Sequence, residues 1–421
     1  MNNPSDTRSS FRDKLLKFGA SIGPGIFIIG YIIGTGSVTT MASAGAKYGM
    51  SMTWALALSC FFTYILIVSI SRLTIVSGNT LIYTIKKKFG RVMAIFIIFG
   101  LMLTVISSVI GVTAIASDIF REWSRFLTPE HNGIHPIISA FFMIGILYYL
   151  FWFGRHGFFL RAMSVVVAIM GICFIASMVA VVPSATDIIK GLIPIVPEGS
   201  DTHLILAGLV GTTMASVVVV SRTYLIAEQG WTINDFKTEN RDAIISLILT
   251  FLVSASIMAA AAGTMYPRGI TVDKAIDMVK TLEPITGRFT SSIFSFGIIA
   301  AALSSLFPGY LLGPWLICDY LNIPRKMSRK SIRIAVLFIA LLGFIVPVFK
   351  GNPVVIMIAS QAVSPVIMPL LILLLYILLN SKNIVGDYKN PVILNIGLGL
   401  TFIFSLFMAH TALVGFFKFL Q

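Results

Sequence analysis

Apolar stretches long enough to cross a bilayer recur from one end of the chain to the other, separated by short polar segments. About 20 residues of helix span the roughly 30 Å of hydrocarbon in a bilayer. On that measure the pattern predicts eleven spans, at 18–48, 51–74, 91–119, 136–153, 161–182, 203–227, 243–263, 290–318, 332–349, 355–380 and 390–417. No polar segment between them is long enough for a soluble domain, so residues 1–421 read as one transmembrane domain. The first span is interrupted. Gly34, Thr35, Gly36 and Ser37 place two glycines and two hydroxyl residues in its middle, where helix propensity is lowest. The sixth span repeats the theme, with Gly208 and Gly211 followed by Thr212, Thr213, Met214, Ala215 and Ser216. In hydrocarbon, unwound backbone is tolerated only where it is buried in protein or lines a polar cavity. Breaks in two spans five apart point to an inverted repeat with its binding site at mid-depth. Repeat one then covers about 18–182, repeat two about 203–380, and the helix at about 390–417 lies outside the repeat.

Composition agrees with this class: of 421 residues, 57% are hydrophobic and 11% charged. The net charge of +14 raises the question of nucleic acid, but its placement answers it. Arg8, Arg12, Lys14 and Lys17, the run Lys86, Lys87 and Lys88, and the group Arg325, Lys326, Arg329, Lys330 and Arg333 fall on one side of the predicted topology. This positive-inside bias places the N-terminus in the cytoplasm and the C-terminus outside. The basic charge is expected to meet anionic lipid, not nucleic acid. The polar first 17 residues and the long apolar run after them do not read as a cleavable signal peptide. Cys60, Cys173 and Cys318 lie on separate spans with no metal or disulfide spacing.

The first span also carries a resemblance. Gly23 and Pro24, the break, and then Ala44, Gly45, Ala46, Lys47, Tyr48 and Gly49 resemble, at the same spacing, the first span of the Nramp family of metal-ion transporters. Gly208 to Gly211, Ser304 and Ser305, Ser360 and Gln361, and Ser381 and Lys382 with Gly386 and Asn390 extend the likeness along the chain. The resemblance implies an all-α, LeuT-type fold of two inverted five-helix repeats with helices 1 and 6 broken. It also implies a cargo of divalent metal cations.

The departures bear on the cargo. Nramp proteins carry a metal-coordinating Asp and Asn at the first break, where this chain has Gly34 and Ser37. The family's Met-Pro-His in span six falls on Ala215, Ser216 and Val217, with Met214 one residue early, and a second family His falls on Arg222. The acidic residues of the family's third span have no counterpart in 104–111. Each of the 17 acidic residues falls in a loop, a tail or the last turn of a span. Carboxylates inside a membrane mark ion and proton routes. Their absence from mid-depth removes the usual cation ligand and proton carrier. The five histidines, His131, His135, His156, His203 and His410, lie in loops or near span ends without paired spacing. Arg222, in the basic-side half of span six, reads equally as a functional residue or as a snorkelling side chain.

The expected site is therefore Gly34, Thr35, Gly36, Ser37, Thr213, Met214, Ala215, Ser216 and Gln361. If a metal binds, Ser37 and Gln361 with backbone carbonyls are its ligands. The expected function is secondary transport of divalent cations with altered selectivity, hydrated Mg²⁺ over Mn²⁺ or Fe²⁺, without proton coupling. Two alternatives stay open. One is a carboxylate-bearing solute such as an amino acid, held by N–H groups at the Gly-rich break. The other is a relative that does not transport. No cofactor and no enzymatic constellation is expected. Partners are the solute and the lipid bilayer, with the chain acting as a monomer in a bacterial inner (plasma) membrane.

Overall fold

The computed structural model describes residues 29–420, apart from 31, 129–131, 154–161, 163–164, 167, 170, 177–178, 180–184, 200, 281–282 and 350. All regular structure among the described residues is helical. The main elements are α1 (Thr35–Tyr48), α2 (Thr53–Ser77), α3 (Leu81–Trp123) and α4 (Pro136–Phe153), followed by α5 (Thr202–Thr213), α6 (Ser216–Gln229), α7 (Phe236–Thr264) and α8 (Glu283–Leu321). The chain continues through α9 (Lys330–Leu342), α10 (Pro353–Ala362), α11 (Ser364–Leu379) and α12 (Val392–Leu420).

Nine helical stretches among the described residues are long and apolar enough to cross a membrane, and they coincide with predicted spans two to four and six to eleven. Residues 18–28 of span one and much of span five lie outside the described residues, as do His131 and His156. Span three starts where the pattern puts it because Gly90 breaks the helix. Its φ of +89° is open to glycine and strained for other residues, and it turns a short basic segment away from the apolar run that follows.

Hydroxyl side chains inside the spans mostly donate back to their own helix. Ser59 donates to the Ala55 carbonyl, Thr63 to Ser59, Thr74 to Ile70 and Thr250 to Ser246. This is how an apolar span carries many Ser and Thr with most of their donors satisfied. Large apolar side chains such as Phe99, Phe141, Ile393 and Ile403 face outward, where lipid would cover them. Span six is central, its apolar window fully buried, whereas only 22% of the span-eleven window is buried.

The helices fall into two packing groups. α1, α2, α6 and α7 pack chiefly on one another, α5 packs on α1 and α2 as well as on α10 and α12, and α3 packs chiefly on α8, with α4 and α9 beside them. Span ten bridges the groups, α10 lying against both α3 and α5. Each group thus combines matching spans from the two predicted repeats: one, two, six and seven, against three, four, eight and nine.

Candidate functional site

Both predicted breaks are present. Among the described residues of span one, Ile33 and Gly34 leave the helix, and α1 begins at Thr35 with Gly34 as its N-cap in extended conformation. This corrects the expected four-residue break: Thr35, Gly36 and Ser37 form the first turn of α1. Their N–H groups have no carbonyl four residues back within α1, and the first such bond runs from the Val38 N–H to the Gly34 carbonyl at 3.0 Å. In span six, α5 ends at Thr213, Met214 and Ala215 are non-helical, and α6 begins at Ser216.

Span ten carries a third interruption at Val363, between α10 and α11, and this joins the other two. On its α10 side, Gln361 lies against the first break. A Cβ on Gly36 would sit 2.5 Å from Met357 Cε and 2.9 Å from Gln361 Cδ and Nε2. On its α11 side, Ser364 lies against the second break. The Ser216 N–H donates to Ser364 Oγ at 2.8 Å, and the Ser364 hydroxyl donates to Ser216 Oγ at 3.1 Å. Gly211 presses on the same kink, and any Cβ there would overlap the Gln361 carbonyl. Close approach, not backbone conformation, favours glycine at both positions: backbone lies against 211, and the ends of the Met357 and Gln361 side chains lie against 36.

The predicted site residues are gathered but do not all face one point. Thr35 is fully buried and its Oγ1 has no hydrogen-bond partner. Ser37 Oγ turns to Ser254 Oγ of α7 at 3.4 Å. The Thr213 hydroxyl donates to the Leu209 carbonyl at 3.2 Å, while the Thr213 carbonyl accepts from Thr63 Oγ1 at 3.3 Å. Met214 and Ala215 are buried at the break itself. Gln361 Nε2 makes long contacts of 3.5 Å to Ser108 Oγ and 3.3 Å to Ser360 Oγ. Ser108, Ser254 and Ser364 did not emerge from sequence reasoning. Pro365, directly after Ser364, was the one local signal of the span-ten kink.

The site carries no formal charge. Among the described residues, no group of three or more His, Cys, Asp or Glu could hold a metal ion. The available donors are hydroxyls, one amide and backbone groups. Half-helix N-termini supply N–H groups from α1 and α6, and the C-terminal end of α5 supplies carbonyls.

The acidic residues need a correction. Glu239 and Asp242 lie in the first turns of α7 and are buried, about 1% exposed each. Arg222 is neither a snorkelling side chain nor part of the break. Its Nη1 donates to Asp242 Oδ2 at 2.6 Å, Nη2 to Glu239 Oε1 at 3.2 Å, and Nε to Ser71 Oγ at 3.2 Å. A buried guanidinium requires such partners. This cluster ties α6 to α7 and α2 within one packing group.

The family described as natural resistance-associated macrophage protein-like, Nramp, matches residues 25–415. The chain belongs to the Nramp family. It is 27% identical over 401 residues to the divalent metal cation transporter MntH of Listeria monocytogenes, covering 90% of this chain and 86% of that one. It is 25% identical over 434 residues to the natural resistance-associated macrophage protein 2 homolog of Dictyostelium discoideum, covering 96% of this chain and 66% of the relative. In fold it matches a manganese transporter of Eremococcus coleocola, solved as a histidine variant, with a TM-score of 0.74 at 16% identity over 98% of this chain and 90% of that one. A nucleobase-cation-symport-1 family transporter with bromovinylhydantoin bound matches with a TM-score of 0.57 at 14% identity, over 94% of this chain and 90% of that one. The fold is therefore the LeuT-type arrangement of the Nramp transporters, and the chain is a multi-pass membrane protein, not an enzyme. Nramp membership places it among divalent metal cation transporters.

Proposed function

We propose that this Nramp protein is a secondary transporter that moves a hydrated divalent cation, Mg²⁺ in preference to Mn²⁺ or Fe²⁺. The observation that carries this is the uncharged junction of three interrupted spans at Gly36, Gln361 and Ser364. Hydroxyl and amide oxygens are hard donors, suited to Mg²⁺, which dehydrates reluctantly and keeps several of its waters. Mn²⁺ and Fe²⁺ bind best where carboxylate or imidazole is present, and this junction offers neither, its other donors being the thioethers of Met214 and Met357. Ser37, Gln361 and backbone carbonyls are the proposed ligands of the partly hydrated ion, with Thr35, Thr213 and Ser216 lining the space around it. Cargo movement is not coupled to protons through span three, whose segment 104–111 has no carboxylate. The proposed orientation has the basic side in the cytoplasm, the C-terminus outside, and the protein working as a monomer in a bacterial inner membrane.

One observation favours a second reading. The N-terminus of α1 offers N–H groups with Gly34 where the family has a carboxylate, which suits a carboxylate-bearing organic solute. The fold is shared with a transporter that binds an organic ligand, so the fold does not choose between the two. The discriminating experiment is uptake into proteoliposomes, Mg²⁺ and Mn²⁺ against small carboxylates, in the native protein and in Gly34→Asp. A cation carrier should gain divalent binding from the new carboxylate. A carboxylate carrier should lose uptake by repulsion.

A further inference from the structure

The two packing groups meet on the basic face through α6, and a buried carboxylate sits at that seam. Residue 223 of α6 bonds across it, with the Leu81 N–H at the start of α3 donating to Thr223 Oγ1 at 3.1 Å. Tyr224, fully buried, packs edge-on against Trp315 of α8 with ring centroids 6.0 Å apart, and the Arg325 guanidinium lies 4.9 Å from its ring centroid. Beside them Asp319, at the end of α8 and 3% exposed, accepts a hydrogen bond from Thr80 Oγ1 and faces the Ile82 N–H. Thr80 is the N-cap of α3, so Asp319 places negative charge at the N-terminus of that helix, where the dipole favours it. The other oxygen is different. Asp319 Oδ2 is buried and has no hydrogen-bond partner, and the Tyr224 hydroxyl that faces it closes no hydrogen bond of normal geometry.

We propose that Asp319 is a proton-binding site that holds the seam between the two packing groups closed when ionised and releases it when protonated. The inference rests on the transport reading, because it gives the seam a reason to open. The proton adds to Oδ2, the oxygen without a donor, turning the carboxylate into a neutral acid with no bond broken elsewhere. The neutral acid no longer holds the N-terminus of α3 by charge, and it loses its attraction to Arg325. The groups facing Asp319 are Thr80 and Ile82 from α3, Tyr224 from α6, Arg325 from the segment after α8, and Cys318 on its own helix. Lys86 of α3 is engaged elsewhere, donating to the Tyr320 carbonyl at 2.7 Å and lying over the Tyr320 ring. Among the described residues Asp319 has no cation within ion-pair distance, and Arg325 acts on it from farther away. The site lies on the basic face of the protein, at the N-terminus of α3.

Cys318, 4% exposed and adjacent to Asp319, is a built-in reporter. The test is N-ethylmaleimide labelling of the full-length protein in lipid nanodiscs across a pH series, with the adduct at Cys318 located by peptide mass spectrometry. No cargo is needed, so failure here leaves the transport reading standing. Free thiols react faster as pH rises, because the thiolate is the nucleophile. Measured relative to the labelling rate of free N-acetylcysteine at each pH, which cancels the loss of thiolate, a seam opened by protonation gives labelling that increases as pH falls. Asp319→Asn should remove that pH dependence and label at the low-pH rate throughout. Thr80→Val, which takes away a donor to the ionised form, should move the rise to higher pH. Asp319→Glu should retain the rise. Labelling that simply follows the thiolate fraction, a low-pH rise that survives Asp319→Asn, or an unmoved Thr80→Val profile each overturns the proposal.

Discussion

Gly36 shows how much a single carbon decides at this site. Its missing side chain lets Gln361 and Met357 lie directly on the first turn of α1, so that even a methyl group would require those side-chain ends to shift. Gly36→Leu should therefore abolish uptake into proteoliposomes while the protein still elutes as one species on gel filtration; full uptake by this variant would move the site elsewhere. Gly211 is constrained by backbone, since its neighbour is the Gln361 carbonyl and not the end of a flexible side chain. Gly211→Ala should lower stability by about 1–3 kcal/mol, the usual cost of overpacking, read as a drop in thermal unfolding temperature in detergent. Gly34 behaves oppositely. Its φ of −94° and ψ of −175° are open to any residue, and Asp is a favoured N-cap, so Gly34→Asp should meet no backbone strain. The chemistry of Gly34, Gly36 and Ser37 was legible in the sequence, but their exact placement was not. Gly-Thr-Gly-Ser contains four poor helix formers, and tertiary packing decided that only the first of them stays outside the helix.

At the scale of elements, the span-ten kink organises the site, and the sequence marked it weakly. Ala362, Val363 and Ser364 contain no glycine, so only Pro365 hinted that α10 stops there. Ser364 then caps α6 from another span, a long-range partner that no local pattern reports. Ser364→Ala should leave the Ser216 N–H unsatisfied and cost about 1 kcal/mol, measured by thermal unfolding beside Gly211→Ala. The start of α7 was misread for a related reason. Hydropathy begins span seven at 243, whereas the helix starts at Phe236 and buries Glu239 and Asp242 against Arg222. Charged residues before an apolar run read as a loop until their partner on another helix is known. Arg222→Met would leave two buried carboxylates without their cation, and it should destabilise by about 3–5 kcal/mol. A variant as stable as the native protein would show that the cluster is hydrated and not sealed.

Across the whole molecule, ancestry and local chemistry point to the same place with different emphasis. Span count, charge placement and paired breaks were readable because a bilayer imposes length and polarity on every helix. The two packing groups were not readable, because which helix touches which depends on small residues far apart in sequence, such as Gly45 against the Met258 carbonyl. The family match supplies cation transport, and the uncharged site at the junction of spans one, six and ten supplies the altered selectivity. The most direct test of that combination is calorimetric titration of the purified protein with Mg²⁺ and with Mn²⁺, repeated on Gly34→Asp. The neutral site predicts weak Mn²⁺ binding in the native protein, no weaker Mg²⁺ binding, and a clear gain of divalent affinity in Gly34→Asp. Tight Mn²⁺ binding in the native protein, lost on changing Ser37 or Gln361 to Ala, would contradict it.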